Sequence, residues 1–161
     1  MKPTPAPVTV RPYQATDAPA TLRAFLDAVT VTASADYSLE QVAAWSAPEE
    51  RNLEDWHLAR TGLGTVVALV EGQVAGFSDV SAEGYIHMMF VSPRYGRRGV
   101  GSALVVEVER RARVLTASAL STNASITARP FFEQHGFTVI TEQRPLTRGV
   151  RMTNYRMVKH L

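Results

Sequence analysis

One segment restricts the choice of folds for this chain more than any other. Residues 90–102 read Phe-Val-Ser-Pro-Arg-Tyr-Gly-Arg-Arg-Gly-Val-Gly-Ser, and a mostly apolar run from residue 85 leads into them. Apolar residues then recur at positions 100, 104, 108 and 115, the spacing of one helix face. The pattern predicts a strand over residues 85–91, a basic loop with glycines over 92–98 and a helix from 99 to about 115.

The remaining segments predict further strands and helices on both sides of this unit. Alternation predicts a first strand over 8–13, and the turn at Gly72 predicts a hairpin of strands 65–71 and 73–80. Ser38 and Gln41 form the capping-box pattern of a helix start. The other predicted elements are helices at 17–31 and within 48–60, a strand at 118–122, a helix at 126–135 that Gly136 terminates, and closing strands at 138–144 and 151–159. This order predicts an α+β domain around one mixed sheet.

Length and composition suit one soluble domain. The 161 residues are 45% hydrophobic and 20% charged, as in ordinary globular proteins. Residues 1–7 contain three prolines and predict a flexible N-terminal tail, which leaves residues 8–161 as the domain. The longest apolar stretch, 66–70, is far too short to span a bilayer, and the first eight residues lack a signal-like apolar run. We therefore expect a cytoplasmic protein with no membrane partner.

Residue usage also excludes several kinds of site. The chain lacks cysteine, which excludes disulfides, cysteine-zinc sites and thiol nucleophiles. The four histidines, at positions 57, 87, 135 and 160, show no metal-ligand spacing, so we predict no metal. A formal net charge of +2 suits an anionic ligand but is too small to indicate nucleic acid.

The loop and helix start at residues 96–102 have the chemistry of an anion-binding site. The first N–H groups of a helix have no intrahelical acceptor, and the helix dipole favours negative charge there. Glycines allow close approach to the backbone, and Arg97 and Arg98 add positive charge. The segment lacks the lysine of an ATPase phosphate loop, and Leu104 stands where a dinucleotide-binding fold needs its third glycine.

The same segment resembles the pyrophosphate loop of the GNAT superfamily of N-acetyltransferases, Gln/Arg-x-x-Gly-x-Gly/Ala. Arg97-Arg98-Gly99-Val100-Gly101 matches it except at the first position, where Gly96 stands. The sequence Phe-Phe-Glu-Gln-His-Gly-Phe at 131–137 is similar to the family's helix and turn before its sixth strand. The resemblance covers most of the chain. It implies a mixed, mostly antiparallel sheet of about seven strands flanked by about four helices, with strands 4 and 5 splayed.

For the cofactor, the resemblance implies acetyl-CoA lying between the splayed strands. Backbone groups of strand 89–91 would bond the pantetheine arm, and one N–H would polarise the thioester carbonyl. Ser125 stands where the family commonly has a cofactor-contacting asparagine, and its alternative role is to cap the following helix. The residues implied to contact the cofactor are Met89, Phe90, Val91, Arg97, Arg98, Gly99, Val100, Gly101, Ser102, Ser125 and Phe132.

His87 is the predicted general base. Amine acylation requires the acceptor ammonium to lose a proton, and histidine side chains titrate close to neutral pH. Tyr85-Ile86-His87 is similar to the His-x-His of arylalkylamine acetyltransferases, and alternation predicts that Tyr85, His87 and Met89 share one strand face. A purely structural role for His87 in the sheet is the alternative.

The general acid is less well defined. The family's usual acid is a tyrosine within the pattern Phe/Leu-Tyr-Glu, but Phe132 stands at that position and cannot donate a proton. Tyr155, on the predicted last strand, is the substitute candidate, with core packing as its alternative role. Solvent or the acceptor itself could also protonate the thiolate.

These features predict direct acetyl transfer from acetyl-CoA to an amine-bearing small molecule or peptide. The acceptor pocket is expected beside the first two helices, and Asp79 either binds a cationic acceptor or holds a turn. A homodimer is implied by resemblance alone. The residues available on the acceptor side are Asp36, Tyr37, Trp45, Trp56 and His57.

Two other classes of function compete with this prediction. A non-catalytic CoA-binding or regulatory module is favoured by Phe132. A nucleic-acid-binding protein would use the arginines of the loop and helix 94–113, but these alternate with acids and lack an aromatic platform.

Overall fold

The computed structural model describes residues 2–161. Within that range ten strands and five α-helices follow one another as β1 (Val8–Pro12), α1 (Ala18–Asp27), α2 (Leu39–Ser46), α3 (Leu53–Gly62), β2 (Val66–Val70), β3 (Gln73–Ser78), β4 (Tyr85–Ile86), β5 (Met89–Val91), α4 (Val100–Val114), β6 (Ala119–Ser125), α5 (Arg129–Gln134), β7 (Thr138–Gln143), β8 (Leu146–Thr147), β9 (Val150–Arg151) and β10 (Asn154–His160). Residues 2–7 carry no helix or strand, and residue 1 of the predicted tail lies outside the described residues.

The strands form two four-stranded sheets and one small hairpin. The first sheet has the order β1-β2-β3-β5 and is antiparallel throughout. The second has the order β4-β6-β10-β7, in which only the β4–β6 pair is parallel. Strands β8 and β9 pair only with each other. The predicted α+β class with mostly antiparallel strands is confirmed.

The predicted strand 85–91 is in fact two strands in different sheets. β4 ends at Ile86 and β5 begins at Met89, so His87 and Met88 form the link between the two sheets. The predicted single strand face does not exist, because two-residue alternation holds only within a continuous strand. The Tyr85 and His87 rings nevertheless pack together, at a centroid distance of 4.6 Å, while Met89 belongs to the other sheet. This break and the additional β8–β9 hairpin raise the strand count from the predicted seven to ten across the described range.

The first sheet is buried on both faces. Along β2, Val67 faces α1 and α3, while Val66, Ala68 and Val70 face α4. All four are at most 1% exposed, which explains why the segment reads as a continuous apolar run. The helix α4 extends past this sheet, so that its last turns pack against the second sheet through Val108 and others.

Side-chain caps fix the starts of α2, through Ser38, and of α3, through Asn52. Ser38 Oγ accepts from the Gln41 N–H at 3.1 Å and the Gln41 side chain accepts from the Ser38 N–H at 2.9 Å, as predicted. The last helix starts later than predicted, at Arg129, because Ser125 Oγ accepts from the Ala128 N–H at 3.0 Å and closes a separate turn. Within residues 2–161, each helix is too short or too polar to cross a membrane.

Candidate functional site

The two sheets separate at the end of β4 and leave a cleft between them. Ile86 still pairs with Thr122 of β6, but beyond that point β5 pairs with β3 and β6 with β10. The gap between β5 and β6 opens into a cavity of about 490 Å³. The start of α4 and the helix α5 line the rest of it. The cavity thus comes from the separation of the strands and not from a gap in the hydrophobic core.

Strand β5 presents a free backbone edge to this cleft. The Ser92 N–H donates to the Ala75 carbonyl at 2.8 Å, and backbone polar groups alternate sides along a strand. The polar groups of Phe90 therefore also face β3, whereas those of Met89 and Val91 face the cleft. Of the three residues predicted to bond the cofactor arm through the backbone, Met89 and Val91 direct their polar groups into the cleft.

The start of α4 forms the floor of the cleft. Gly99 precedes the helix with a φ of 80°, and a Cβ built there meets no atom within 4 Å. The first helical bond runs from Ala103 N–H to the Gly99 carbonyl at 3.0 Å, so the N–H groups of residues 100–102 have no helical acceptor. Three such donors and the positive end of a 15-residue helix suit a phosphate group.

The two loop arginines differ in position. Arg97 lines the cleft with a φ of 58°, a left-handed conformation that turns the chain into the helix. Arg98 is not among the lining residues, and its guanidinium carbon lies 5.8 Å from the centre of the Tyr95 ring. The positive charge at the cleft mouth therefore comes mainly from Arg97, and the cofactor contact of Arg98 stays a prediction.

Ser102 and His135 link the floor to α5. His135 Nδ1 is 2.8 Å from the Phe131 carbonyl, which can only accept, so Nδ1 carries the proton. Nε2 is then an acceptor, and the Ser102 hydroxyl donates to it at 3.0 Å. This bond leaves the Ser102 amide, and not its hydroxyl proton, available to a ligand. The sequence carries no signal for this bond, because the two residues are 33 positions apart.

A buried carboxylate explains the break between β4 and β5. Asp79 Oδ1 accepts from the His87 N–H at 2.8 Å and Oδ2 from the Met88 N–H at 3.2 Å. These bonds replace strand pairing at the two link residues. Burial raises the pKa of the Asp79 carboxyl, and the hydrogen bond from the His87 backbone opposes that rise. Of the two roles predicted for Asp79, the structure favours holding the chain.

The same carboxylate orients the His87 ring. Nδ1 lies 3.2 Å from Asp79 Oδ1, so Nδ1 carries a proton toward the carboxylate and Nε2 keeps its lone pair. The Tyr85 ring packs edge-on against the imidazole at a centroid distance of 4.6 Å. The His87 side chain is 39% exposed, whereas that of Asp79 is fully buried. This arrangement suits a base: a fixed ring with one free nitrogen at the cleft.

The candidates for the general acid lie in different environments. Phe132 is 4% exposed and lines the cleft, where its ring can contact a ligand but cannot donate a proton. Tyr155 is not a lining residue: its hydroxyl donates to Glu142 on the adjacent strand at 3.3 Å, and Arg129 lies over its ring at 4.5 Å. The substitute role predicted for Tyr155 is therefore not supported, because its hydroxyl is directed away from the cleft. Ser125, which was predicted to contact the cofactor, does line the cleft.

A second, smaller cleft of about 170 Å³ continues from the first. Tyr37 and Trp45, two of the residues predicted on the acceptor side, line it. The other three lie elsewhere, with Trp56 Nε1 bonded to Thr21, His57 to Tyr13 and Asp36 to Thr127. Residues that line both clefts are Trp45, His87, Met88, Phe90, Asn123 and Ser125.

Charge pairing on α4 argues against a nucleic-acid surface. Glu107 pairs with Arg110 at 2.7 Å and with Arg111 at 3.1 Å, and Glu109 pairs with Arg113 at 3.0 Å. Each of these arginines is therefore paired with an acid of the same helix, two carboxylates serving three guanidinium groups. Among residues 2–161, His, Asp and Glu side chains do not converge in any group of three that could hold a metal.

Comparisons of family, sequence and structure all match this chain to N-acetyltransferases. Residues 33–159 match the family model of an acetyltransferase (GNAT) domain. The chain is 39% identical over 150 residues to the uncharacterized N-acetyltransferase YafP of Escherichia coli K12, covering 93% of this chain and 94% of that protein. A GCN5-related N-acetyltransferase structure from Rhodopseudomonas palustris superposes with a TM-score of 0.92 at 27% identity, covering both chains fully.

Two further structures of similar fold contain the cofactor. The PaiA N-acetyltransferase of Thermoplasma acidophilum, in complex with coenzyme A, has a TM-score of 0.74 at 16% identity and covers 96% of this chain and 99% of its own. The YncA acetyltransferase of Salmonella typhimurium with acetyl-CoA has a TM-score of 0.70 at 18% identity and covers 97% and 95%.

Proposed function

Since this chain belongs to the GNAT family of acetyltransferases, we propose that it transfers the acetyl group of acetyl-CoA directly to an amine, with His87 as the general base. The observation that carries the proposal is the meeting of three features at one cleft. These are the free edge of β5, the unpaired N–H groups at the start of α4, and the free Nε2 of His87.

Acetyl-CoA would lie along this cleft. The N–H and C=O groups of Met89 and Val91 would bond the pantetheine amides as an added strand bonds a sheet edge. The N–H groups of residues 100–102 would bind the pyrophosphate, with Arg97 adding charge. The apolar side chain of Phe132 would pack against the cofactor arm. The acetyl end then lies at the top of the cleft, next to His87.

The reaction follows from these positions. A neutral amine attacks the thioester carbonyl carbon, and the carbonyl oxygen becomes an oxyanion that the Met89 N–H stabilises. His87 Nε2 takes the proton that the amine nitrogen loses. The C–S bond then breaks, and the thiolate takes a proton from solvent, since the cleft residue at the usual acid position is Phe132. The chain has no cysteine, so a thioester acyl-enzyme does not form.

Acetyl-CoA should stabilise the protein against heat. A ligand at 100 times its dissociation constant adds about 2.7 kcal/mol to the free energy of unfolding. For a chain of this length we expect a rise in Tm of about 5–10 °C. Differential scanning fluorimetry with acetyl-CoA, free CoA and pantetheine, which carries no phosphate, measures this rise in Tm. Equal shifts for pantetheine and CoA would contradict the phosphate site at α4, and no shift at millimolar acetyl-CoA would overturn the proposed function.

The variant Asp79→Asn tests the positioning of His87. Asparagine keeps the shape, but its amide nitrogen cannot accept from the Met88 N–H, so the link between β4 and β5 shifts. Because small displacements of a reacting group are costly, we expect kcat to fall by about 10- to 100-fold. Steady-state kcat at saturating acetyl-CoA and amine measures the change.

The matched control is Asp55→Asn, the same change at an exposed site on α3. It should leave kcat unchanged. An Asp79→Asn variant with full kcat would contradict the positioning of His87 by Asp79.

A further inference from the structure

One buried charge takes no part in the reaction proposed for this chain. Arg60 lies in the last turn of α3 and is 4% exposed. Within residues 2–161 its side chain donates one hydrogen bond, from Nη1 to the Met88 sulfur, and its Nε has no partner. A guanidinium withdrawn from water without a carboxylate in contact is destabilising, and burial lowers the pKa of Arg60 accordingly. Such a charge needs a compensating partner nearby.

Aromatic rings hold the Arg60 guanidinium beside the end of β3. Its central carbon lies 4.4 Å from the centre of the Trp56 ring and 5.8 Å from that of Phe77. Both rings attract a cation through their π electrons, yet neither carries a negative charge that would neutralise it. Phe77 is in β3, and the chain reaches Asp79 directly after that strand ends. The rings thus place the guanidinium without balancing its charge.

Arg60 and Asp79 both contact Met88, one of the two residues that link the sheets. Arg60 Nη1 donates to the Met88 sulfur, and Asp79 Oδ2 accepts from the Met88 N–H at 3.2 Å. Burial raises the pKa of Asp79 and lowers that of Arg60, and the charge of each residue opposes the effect of burial on the other. Opposite charges attract over several ångströms where water is excluded. The two residues therefore balance each other across Met88 without a direct hydrogen bond.

Asp79 can hold the link only as a carboxylate. Its Oδ1 accepts from the His87 N–H at 2.8 Å and lies 3.2 Å from the ring Nδ1, while Oδ2 accepts from the Met88 N–H. A protonated carboxyl group carries a hydrogen on one oxygen, and that oxygen becomes a donor. Without the charge of Arg60, burial would favour this neutral form. Loss of Arg60 should therefore loosen both the link and the His87 ring.

We infer that Arg60 is the counter-charge of Asp79 and, through Asp79 and Met88, a positioning residue for His87. The inference rests on the proposed acetyl transfer with His87 as the base, and it adds the residue that keeps this base in place. Arg60 lines neither cleft, so it should touch neither acetyl-CoA nor the acceptor amine. Its removal should therefore lower kcat and leave the binding of acetyl-CoA unchanged.

Two substitutions separate the charge of Arg60 from its packing. Arg60→Met keeps a long side chain against Trp56 and Phe77 but removes the charge, and we expect kcat to fall about tenfold. Arg60→Lys keeps the charge without the planar group, and it should retain at least about a third of the wild-type kcat. In both variants the KM for acetyl-CoA and the acetyl-CoA-induced rise in Tm should stay unchanged. Release of CoA thiol is measured with the best of three acceptors, benzylamine, spermidine and a lysine-containing heptapeptide.

The double variant Arg60→Met with Asp79→Asn tests whether the two residues act as a pair. Each single substitution leaves one buried charge unbalanced and should lower the Tm of the unliganded protein by about 5 °C or more. The double variant removes both charges, so its Tm should be higher than that of either single variant. Its kcat should equal that of Asp79→Asn, because Arg60 acts only through Asp79. Independent roles would instead give additive losses in Tm and in kcat.

Arg23→Met is the control, because Arg23 is exposed on α1 and lines neither cleft. It should keep the kcat and the Tm of the wild type. Full kcat in Arg60→Met, an equally low kcat in Arg60→Met and Arg60→Lys, or additive losses in the double variant would overturn the inference alone. A wild type that binds acetyl-CoA but acetylates none of the three amines would overturn the proposed function. A double variant with a lower Tm than both single variants would overturn the pairing itself.

Discussion

Alanine at position 87 is expected to lower kcat by about 10²-fold or more, while the affinity for acetyl-CoA stays the same. General-base catalysis by a positioned side chain contributes about 10²–10⁴-fold to a rate, and His87 Nε2 is the free base beside the acetyl position. The cofactor contacts proposed above are backbone groups and Arg97, none of which the substitution removes. Steady-state release of CoA at saturating acetyl-CoA and amine measures the change.

The control for this variant is His160→Ala. His160 is exposed at the end of β10, lines neither cleft, and has no hydrogen-bond partner among the described side chains. It should keep the full kcat. The His87→Ala variant should also lose the rising limb of the pH profile, because no group then changes protonation at that step. Full kcat in His87→Ala would mean that the attacking nitrogen loses its proton without His87 and that His87 has a structural role.

Gly84→Ala is expected to destabilise the fold by about 3 kcal/mol or more. A Cβ at Gly84 would lie 1.9 Å from the Ala119 carbonyl oxygen, a backbone atom that cannot rotate away. The residue also has a φ of 85°, which costs an L-residue about 1–2 kcal/mol, and overpacking adds about 1–3 kcal/mol. Its carbonyl accepts from the Ser121 N–H at 2.9 Å at the start of the β4–β6 pair.

Thermal unfolding of the protein without ligand measures this effect. A loss of about 3 kcal/mol lowers Tm by about 6–12 °C in a chain of this size. Gly62→Ala is the matched control, since a Cβ there meets no atom within 4 Å and its φ is not in the left-handed region. It should leave Tm equal or slightly higher. Equal Tm values for the two variants would show that the β4–β6 junction accommodates the added Cβ. The cleft would then not be rigid at the point where the two sheets meet.

Features with local causes could be predicted from the sequence. The capping box at Ser38 needs only residues three positions apart, and the β2–β3 hairpin needs a tight turn at residues 71 and 72, both of which have positive φ. The helix α4 follows from a periodic apolar stripe and ends within one residue of its predicted end. These patterns determined the α+β class and indicated an anion site at the helix start.

Features that depend on residues distant in the sequence could not be predicted. The break at His87 and Met88 depends on Asp79, whose role was left open because its hydrogen-bond partners are backbone groups that carry no sequence signal. Tyr155 was a reasonable acid by residue type, yet its hydroxyl is bonded to Glu142 on another strand. Arg60 gave no signal at all, since most arginines are exposed and its burial becomes visible only in the folded chain.

The segment 85–102 shows which features have local causes and which depend on the folded chain. Its residue types alone determined that a strand, an anion-binding loop and an amphipathic helix follow one another, because hydrophobic periodicity and glycine preference act over a few residues. Only the tertiary structure decided that the strand splits between two sheets, that Met89 and Val91 present the free edge, and that His87 has one nitrogen held and one free. Those outcomes depend on Asp79, Ala75 and Thr122, which reach the segment only after the chain has folded.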